Sequence, residues 1–222
     1  MAGLCWMVVA VAFSLSIGNS VAEIPDWLTQ TVQTIKNRYF IPNMQFSLAA
    51  NIPVDQNQLE NAFNADDPAL VKTKLESDEV YEGTNVVVAK PKHMIGYDDH
   101  AENIVLDKIG PLVAGSEGNR LIFYSYFSPC ADKCASKTHP YRILKKLKKV
   151  FDAYWEDSAF VFTRVYDMNG DIPEGNIKES LTNLGRSVRQ NNIFRCYTPY
   201  KSVFTCISCF IDGNLAEACF KN

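Results

Sequence analysis

The sequence predicts a three-layer α/β/α sandwich, a central sheet of five strands with helices on both faces. Five short runs rich in apolar and β-branched residues recur along the chain, each bounded by polar or turn-forming residues. Between them lie stretches with apolar residues at helical spacing. Strands and helices thus alternate, which puts helices over both faces of a sheet. With 222 residues and 47% hydrophobic content, the chain is long enough for one core, and a single domain over residues 23–222 is expected.

The first 22 residues stand apart. Leu4 to Ile17 is nearly unbroken apolar sequence, followed by Gly18-Asn19-Ser20-Val21-Ala22. That pattern is a secretory leader with cleavage after Ala22, although no Lys or Arg precedes the apolar run. About 14 residues is short for a bilayer span of roughly 20. No later stretch is long and apolar enough to span, so the mature chain is expected to be secreted and free of the membrane.

Pro25 suits a first helical position, and Trp27, Leu28, Val32 and Ile35 follow at helical spacing, giving a helix over 25–39. Phe46 to Ile52 is a strand. Residues 54–82 are polar and acidic, broken at Asp66-Asp67-Pro68, and form an insertion with one or two weak helices. Thr84 to Ala89 is a buried strand. Asp98 and Asp99 suit a helix start, with Ala101 to Leu112 as the helix and Pro111 near its end. Leu121 to Phe127 is a strand. Cys130 opens a helical region interrupted at His139-Pro140, and Tyr141 to Trp155 is an amphipathic helix. Ala159 to Tyr166 is a strand, Ile177 to Val188 a helix, and Ile193 to Thr198 a last strand.

Seven cysteines are present, and Cys5 leaves with the leader. Cys196, Cys206, Cys209 and Cys219 form a C-terminal quartet that a secreted chain would close as two disulfides. Cys206 and Cys209 are too close for an easy bridge in helical geometry, so each is expected to pair with Cys196 or Cys219. A second metal site is the alternative for the quartet.

The chemistry-bearing pattern is His100-Ala101-Glu102, then Pro129-Cys130-Ala131-Asp132-Lys133-Cys134. Each piece follows a predicted strand and opens a predicted helix. A catalytic zinc takes three protein ligands and leaves one position open. His100, Cys130 and Cys134 would supply one imidazole and two thiolates, neutralising the metal's charge. A helix N-terminus stabilises thiolates, and i,i+4 spacing puts both cysteines on one helix face. Glu102 lies two residues past His100, within reach of water at the metal, where it can take and return a proton. The alternative reading is a Cys130–Cys134 disulfide beside ordinary helix-start residues.

These motifs resemble the zinc nucleobase and nucleoside deaminases, with their H-x-E and P-C-x-x-C signature. This sequence departs in having three residues between the cysteines. Ser125-Tyr126-Phe127-Ser128-Pro129-Cys130 resembles the aromatic-Ser-Pro-Cys strand end of the AID/APOBEC-like branch, with Phe127 where Trp is usual. Thr163-Arg164-Val165-Tyr166 resembles its Arg-x-Tyr segment, and a loop with Asp171 and Glu174-Gly175 leads on to the next helix. With a leader and a cysteine-rich C-terminus, the whole looks like the secreted AID/APOBEC-like deaminases. The resemblance implies a cytidine-deaminase-like fold with a mixed five-stranded sheet. It implies a zinc cofactor and hydrolytic deamination of cytosine to uracil in a single-stranded polynucleotide, with Glu102 moving protons to N3 and to the departing ammonia. Phe127, Arg164 and Tyr166 would contact substrate. The family's sugar-contacting Asn has no counterpart in His93-Met94-Ile95-Gly96-Tyr97-Asp98-Asp99, and Asn51 and Asn103 are the candidate substitutes. The rival functions are deamination of free cytidine or deoxycytidine, and an inactive secreted zinc-containing binding or defence protein.

A net charge of -3 and a pI near 5.7 exclude global attraction to phosphate backbones, so nucleic-acid binding would need a local patch. Arg142, Lys145, Lys146, Lys148 and Lys149 offer one, which Lys133 and Lys137 could extend. The plainer reading of this run is the solvated face of a helix that buries Ile143, Leu144, Leu147, Val150 and Phe151. Tyr124, Tyr126 and Phe127 could stack on bases, though so apolar a strand suits a core. His93 and His139 are expected to be surface histidines.

Overall fold

The computed structural model describes residues 23–42 and 44–222, so the predicted leader, Cys5 included, lies outside the described residues. In chain order the elements begin with α1 (Asp26–Tyr39), β1 (Ser47–Pro53), α2 (Leu59–Asn64), α3 (Pro68–Glu76), β2 (Tyr81–Glu82) and β3 (Val86–Ala89). A hairpin of β4 (Lys92–Met94) and β5 (Tyr97–Asp99) precedes α4 (Ala101–Lys108) and α5 (Gly110–Ala114). Then come β6 (Asn119–Phe127), α6 (Leu144–Phe151), β7 (Asp157–Arg164), α7 (Glu174–Val188) and β8 (Ile193–Tyr197). Short strands β9 (Thr205–Ser208), β10 (Phe210–Ile211) and β11 (Asn214–Leu215) complete the chain.

The central sheet is mixed, as expected, but has seven strands rather than five, in the order β2-β3-β1-β6-β7-β8-β9. The two additions are its edges. At two residues β2 is too short to show a period, and β9 lies inside the cysteine-rich tail. β6, β7 and β8 run parallel, and the remaining neighbours are antiparallel.

Alternate residues of β6 enter two different cores, which is what makes three layers. Leu121 and Phe123 pack with Val105 of α4, Leu147 of α6 and Leu181 of α7. Ile122 and Tyr124 pack on the other face with Val32 and Ile35 of α1. A strand covered on both faces has no polar side, so it reads as a continuous apolar run. The 54–82 insertion does form two short helices, and its Leu59, Phe63, Val71 and Leu75 are buried in the α1 core. Asp67 caps α3 by accepting from the Ala69 amide at 2.9 Å. Buried Asp66 accepts from the Tyr81 hydroxyl and from the Thr84 and Asn85 amides. Gly83 lets it approach, since a Cβ there would fall 1.8 Å from the Asp66 Oδ1.

Four local expectations are corrected. Asp98 and Asp99 belong to β5, and His100, not an aspartate, is the residue before α4. The helix expected to reach Leu112 breaks at Ile109 and restarts as α5, with Pro111 in its first turn. Cys130 opens a turn over residues 131–135 rather than a helix, closed by the Ala135 amide on the Cys130 carbonyl at 2.9 Å. The helix expected over 141–155 is confined to α6. Its approach is fixed by the Ile143 amide on the Cys134 carbonyl, and Trp155 folds back to donate to the Val150 carbonyl.

Disulfides join Cys196 to Cys206, between β8 and β9, and Cys209 to Cys219, while Cys130 and Cys134 are free thiols. Among the described residues no helix is long and apolar enough to cross a membrane.

Candidate active site

A cleft of about 540 Å³ opens where the parallel strands β6 and β7 end, the usual ligand position in sheets of this kind. Its lining includes His100, Glu102, Phe127, Cys130 and Tyr166. His100 sits in extended conformation at the head of α4, and Glu102 lies in the first turn of that helix. The turn carrying both cysteines is anchored from α7. Ser180 donates to the Pro129 carbonyl, and Asn183 donates to the Ala135 carbonyl at 3.1 Å.

His100, Cys130 and Cys134 converge. The imidazole Nδ1 is 3.0 Å from the Cys134 Sγ and 3.6 Å from the Cys130 Sγ. Their ligand atoms lie within 4.8 Å of one another, and the three form a group that could hold a metal ion. The Cys130 thiol is pushed down to about 5 by hydrogen bonding from the Cys134 thiol, with His100 and the Cys134 amide adding to this against burial. Cys134 is pushed up by the same bond and by burial. The opposed directions describe one thiolate shared by two sulfurs. We assign it to Cys130, which receives the Cys134 amide at 3.3 Å. The bond to Cys130 also raises the His100 pKa.

Glu102 is only 2% exposed. Its Oε1 accepts from the Ser125 hydroxyl at 2.8 Å, and Ser125 lies 3.2 Å from the Ser47 hydroxyl across β1 and β6. Its Oε2 is buried without a partner. Burial raises the carboxyl pKa above the ordinary value. An orphaned buried oxygen calls for a ligand, and the cleft beside it is where one would sit. Two sulfurs and an imidazole form a donor set suited to zinc, and three protein ligands leave room for water. The residues therefore fit a catalytic metal.

Phe127 and Tyr166 meet edge to face at 5.9 Å on the cleft wall. Exposed Arg164 lines two smaller depressions that share Phe127 with the cleft. Asn51 is not brought to the site. It lies four residues from Ser47 on β1, about 13 Å along the strand, and its amide donates to the Leu112 and Gly115 carbonyls. Asn103 turns away toward α6, bonding Asp99 and Lys146. Tyr124 is fully buried on the opposite face and bonds Thr163, so it cannot stack on a base. On α6, Lys146 pairs with Asp107 and Lys148 with Asp152, leaving Lys145 and Lys149 exposed without an ion pair among the described residues. Lys137 pairs with Glu179.

The sequence alone assigned no role to Ser47 or Ser125 behind Glu102, although a lone Ser within an apolar run such as Leu121–Phe127 is a signal of its own. It also passed over the β4–β5 hairpin beside the cleft. There exposed His93 bonds Asp98, and Tyr97 stacks on Tyr141 at 4.6 Å with Lys133 against both rings.

Residues 25–222 match the family described as Secreted Novel AID/APOBEC-like Deaminase 1, and the chain belongs to that family. No curated protein and no solved structure matches it. The secreted character of the family accords with two disulfides, which persist in an oxidising compartment, and places the protein outside the cell.

Proposed function

We propose that this member of a deaminase family is a zinc-dependent hydrolase that converts cytosine to uracil, with single-stranded polynucleotide as the substrate class. The observation that carries the proposal is Glu102, buried at the cleft beside the His100, Cys130 and Cys134 group with one oxygen fixed and the other free.

His100, Cys130 and Cys134 would hold the metal. When bound, zinc there supplies Lewis acidity that makes water a competent nucleophile near neutral pH. Ser125 fixes the Glu102 Oε1, so the carboxylate presents Oε2 to water and to the base in one orientation. Glu102 takes the proton that water gives up as its oxygen bonds to C4. It delivers that proton to N3, then carries the proton released by the new C4 hydroxyl to the exocyclic amine as the C4–N bond breaks and the C4 carbonyl forms. Cytosine and water become uracil and ammonia, with Glu102 restored. Burial raises its pKa, so Glu102 holds a proton more readily than an ordinary carboxylate, which favours this alternation. Phe127 and Tyr166 offer aromatic surface for the base.

The depressions that meet the cleft at Phe127 give a longer strand a path past the site. Asp98 lines the cleft, and Asp167 and Asp171 line the depression beyond Tyr166, where they weaken attraction for a polyanion. That acidic lining favours free cytidine or deoxycytidine as the second reading. The test is incubation of zinc-loaded protein with single-stranded DNA, single-stranded RNA and free cytidine. Uracil in either polymer is expected; uridine from cytidine alone selects the second reading, and none from any of the three refutes the enzyme.

A further inference from the structure

The segment Val165–Asp167 leaves the sheet just where it supplies Tyr166 to the cleft. On its β6 side it is tied normally. The Ser128 amide donates to the Arg164 carbonyl at 2.8 Å, and the Tyr166 amide donates to the Ser128 hydroxyl at 2.9 Å. On the other side β8 no longer accompanies it, because the last register pair is Phe162 with Arg195. The vacated edge is taken by one side chain from the end of the chain. The Val165 amide donates to the Asn222 Oδ1 at 3.1 Å, and the Asn222 Nδ2 donates to the Val165 carbonyl at 3.0 Å and to the Asp167 Oδ2 at 2.7 Å. A carboxamide thus stands where a strand's peptide group would stand.

Asn222 is itself held. Arg195, 6% exposed, donates to the carbonyls of Thr163, Ala218 and Lys221 and to the Asn222 Oδ1. The Cys209–Cys219 disulfide and buried Phe220 fix the same stretch against the core. We propose that Asn222 is a positioning residue that, locked by Arg195 and the disulfide-closed tail, fixes Val165–Asp167 and so sets where the Tyr166 ring stands at the cleft wall. The proposal rests on the deaminase reading for its functional consequence, but its structural claim can be measured without turnover.

The experiment compares Asn222→Ala and Asn222→Asp with the parent, alone and in a Tyr166→Ala background. Asn222→Ala should leave metal content unchanged, raise KM about tenfold for loss of these bonds, and hold kcat within about twofold. Asn222→Asp keeps the acceptor for Val165 but loses both donors and sets a carboxylate against Asp167, so it should not rescue. In the Tyr166→Ala background Asn222→Ala should change nothing further, the signature of two residues acting through one. Backbone exchange at Val165 should accelerate in Asn222→Ala, and a fluorine label on Tyr166 should shift. Unchanged exchange and label signal overturn the clamp, whatever the parent's activity. Undiminished KM loss in the Tyr166→Ala background overturns the assignment to Tyr166. A parent that deaminates nothing refutes the proposed function, and exchange with the label then decides the clamp alone.

Discussion

Replacing Glu102 by Gln separates a proton carrier from a metal ligand. The substitution preserves shape, and the retained Oε1 still accepts from Ser125 at 2.8 Å. The new amide nitrogen falls where Oε2 now has no partner. Two effects then oppose. A neutral amide is easier to bury than an ionised carboxylate, whereas an unpartnered donor costs about 1–3 kcal/mol. Their difference should be within about 1 kcal/mol, which moves the melting temperature of a chain this size by about 2–4 °C. Turnover should fall by about 10²–10⁴-fold, the usual worth of a positioned acid–base group, or about 3–5 kcal/mol of barrier. His100→Ala should behave differently, losing metal, stability and turnover together. The assays are metal content by mass spectrometry, calorimetric melting, and uracil release from whichever substrate the parent accepts. Loss of metal in Glu102→Gln would make the residue a ligand and refute the mechanism, as would full turnover.

The site should bind about one zinc per chain, and Cys130→Ser should abolish binding; metal analysis against an intact Cys130–Cys134 disulfide decides it. In metal-free protein, thiolate absorbance near 240 nm should show one step near pH 5, from Cys130, while Cys134 titrates above the ordinary thiol range. The depressed thiol is already ionised at neutral pH and the raised one is not; two equal steps would contradict the shared-proton arrangement. Replacing both Cys209 and Cys219 by Ser should destabilise the fold by about 2–3 kcal/mol in denaturant titrations, given the ten-residue separation. If α6 meets phosphates, Lys145→Gln with Lys149→Gln should reduce the log–log salt slope of single-strand binding by about 0.7 for each phosphate no longer neutralised. An unchanged slope assigns these lysines to solvent.

The elements legible in the sequence are those whose burial leaves a pattern. Val86–Ala89 and Leu121–Tyr124 are covered on both faces and appear as apolar runs. Lys92–Asp99 left no such trace, because a two-stranded ribbon with exposed Met94 and Ile95 buries too little to constrain composition. Its Asp98 and Asp99 then mimic a helix cap. The His100, Glu102, Cys130 and Cys134 constellation was legible because its residue types are uncommon at those spacings. Its means of convergence was not, since the cysteines meet through a turn tied to α7 by Ser180 and Asn183. Asn51 shows the matching limit. A polar residue in a strand announces burial, but its distance along the strand from the site depends on register, and register is set by the partners β3 and β6.

The placement of the disulfides bears on how the oxidised chain matures. Each joins cysteines only ten positions apart, one across the adjacent strands β8 and β9 and one within the tail that follows. Bridges this local need little chain searching, so they can close while the rest of the sheet is still assembling. Cys130 and Cys134 face the reverse situation, two thiols that must escape an oxidising compartment until their pocket is complete. Before then either thiol, once ionised, can attack a disulfide in thiol–disulfide exchange. Early closure of the tail removes its nearest targets in sequence, and burial of both sulfurs then shields them. On the zinc reading proposed above, metal reaching the pocket early would hold both thiolates out of exchange, so chains loaded late would be the ones open to scrambling.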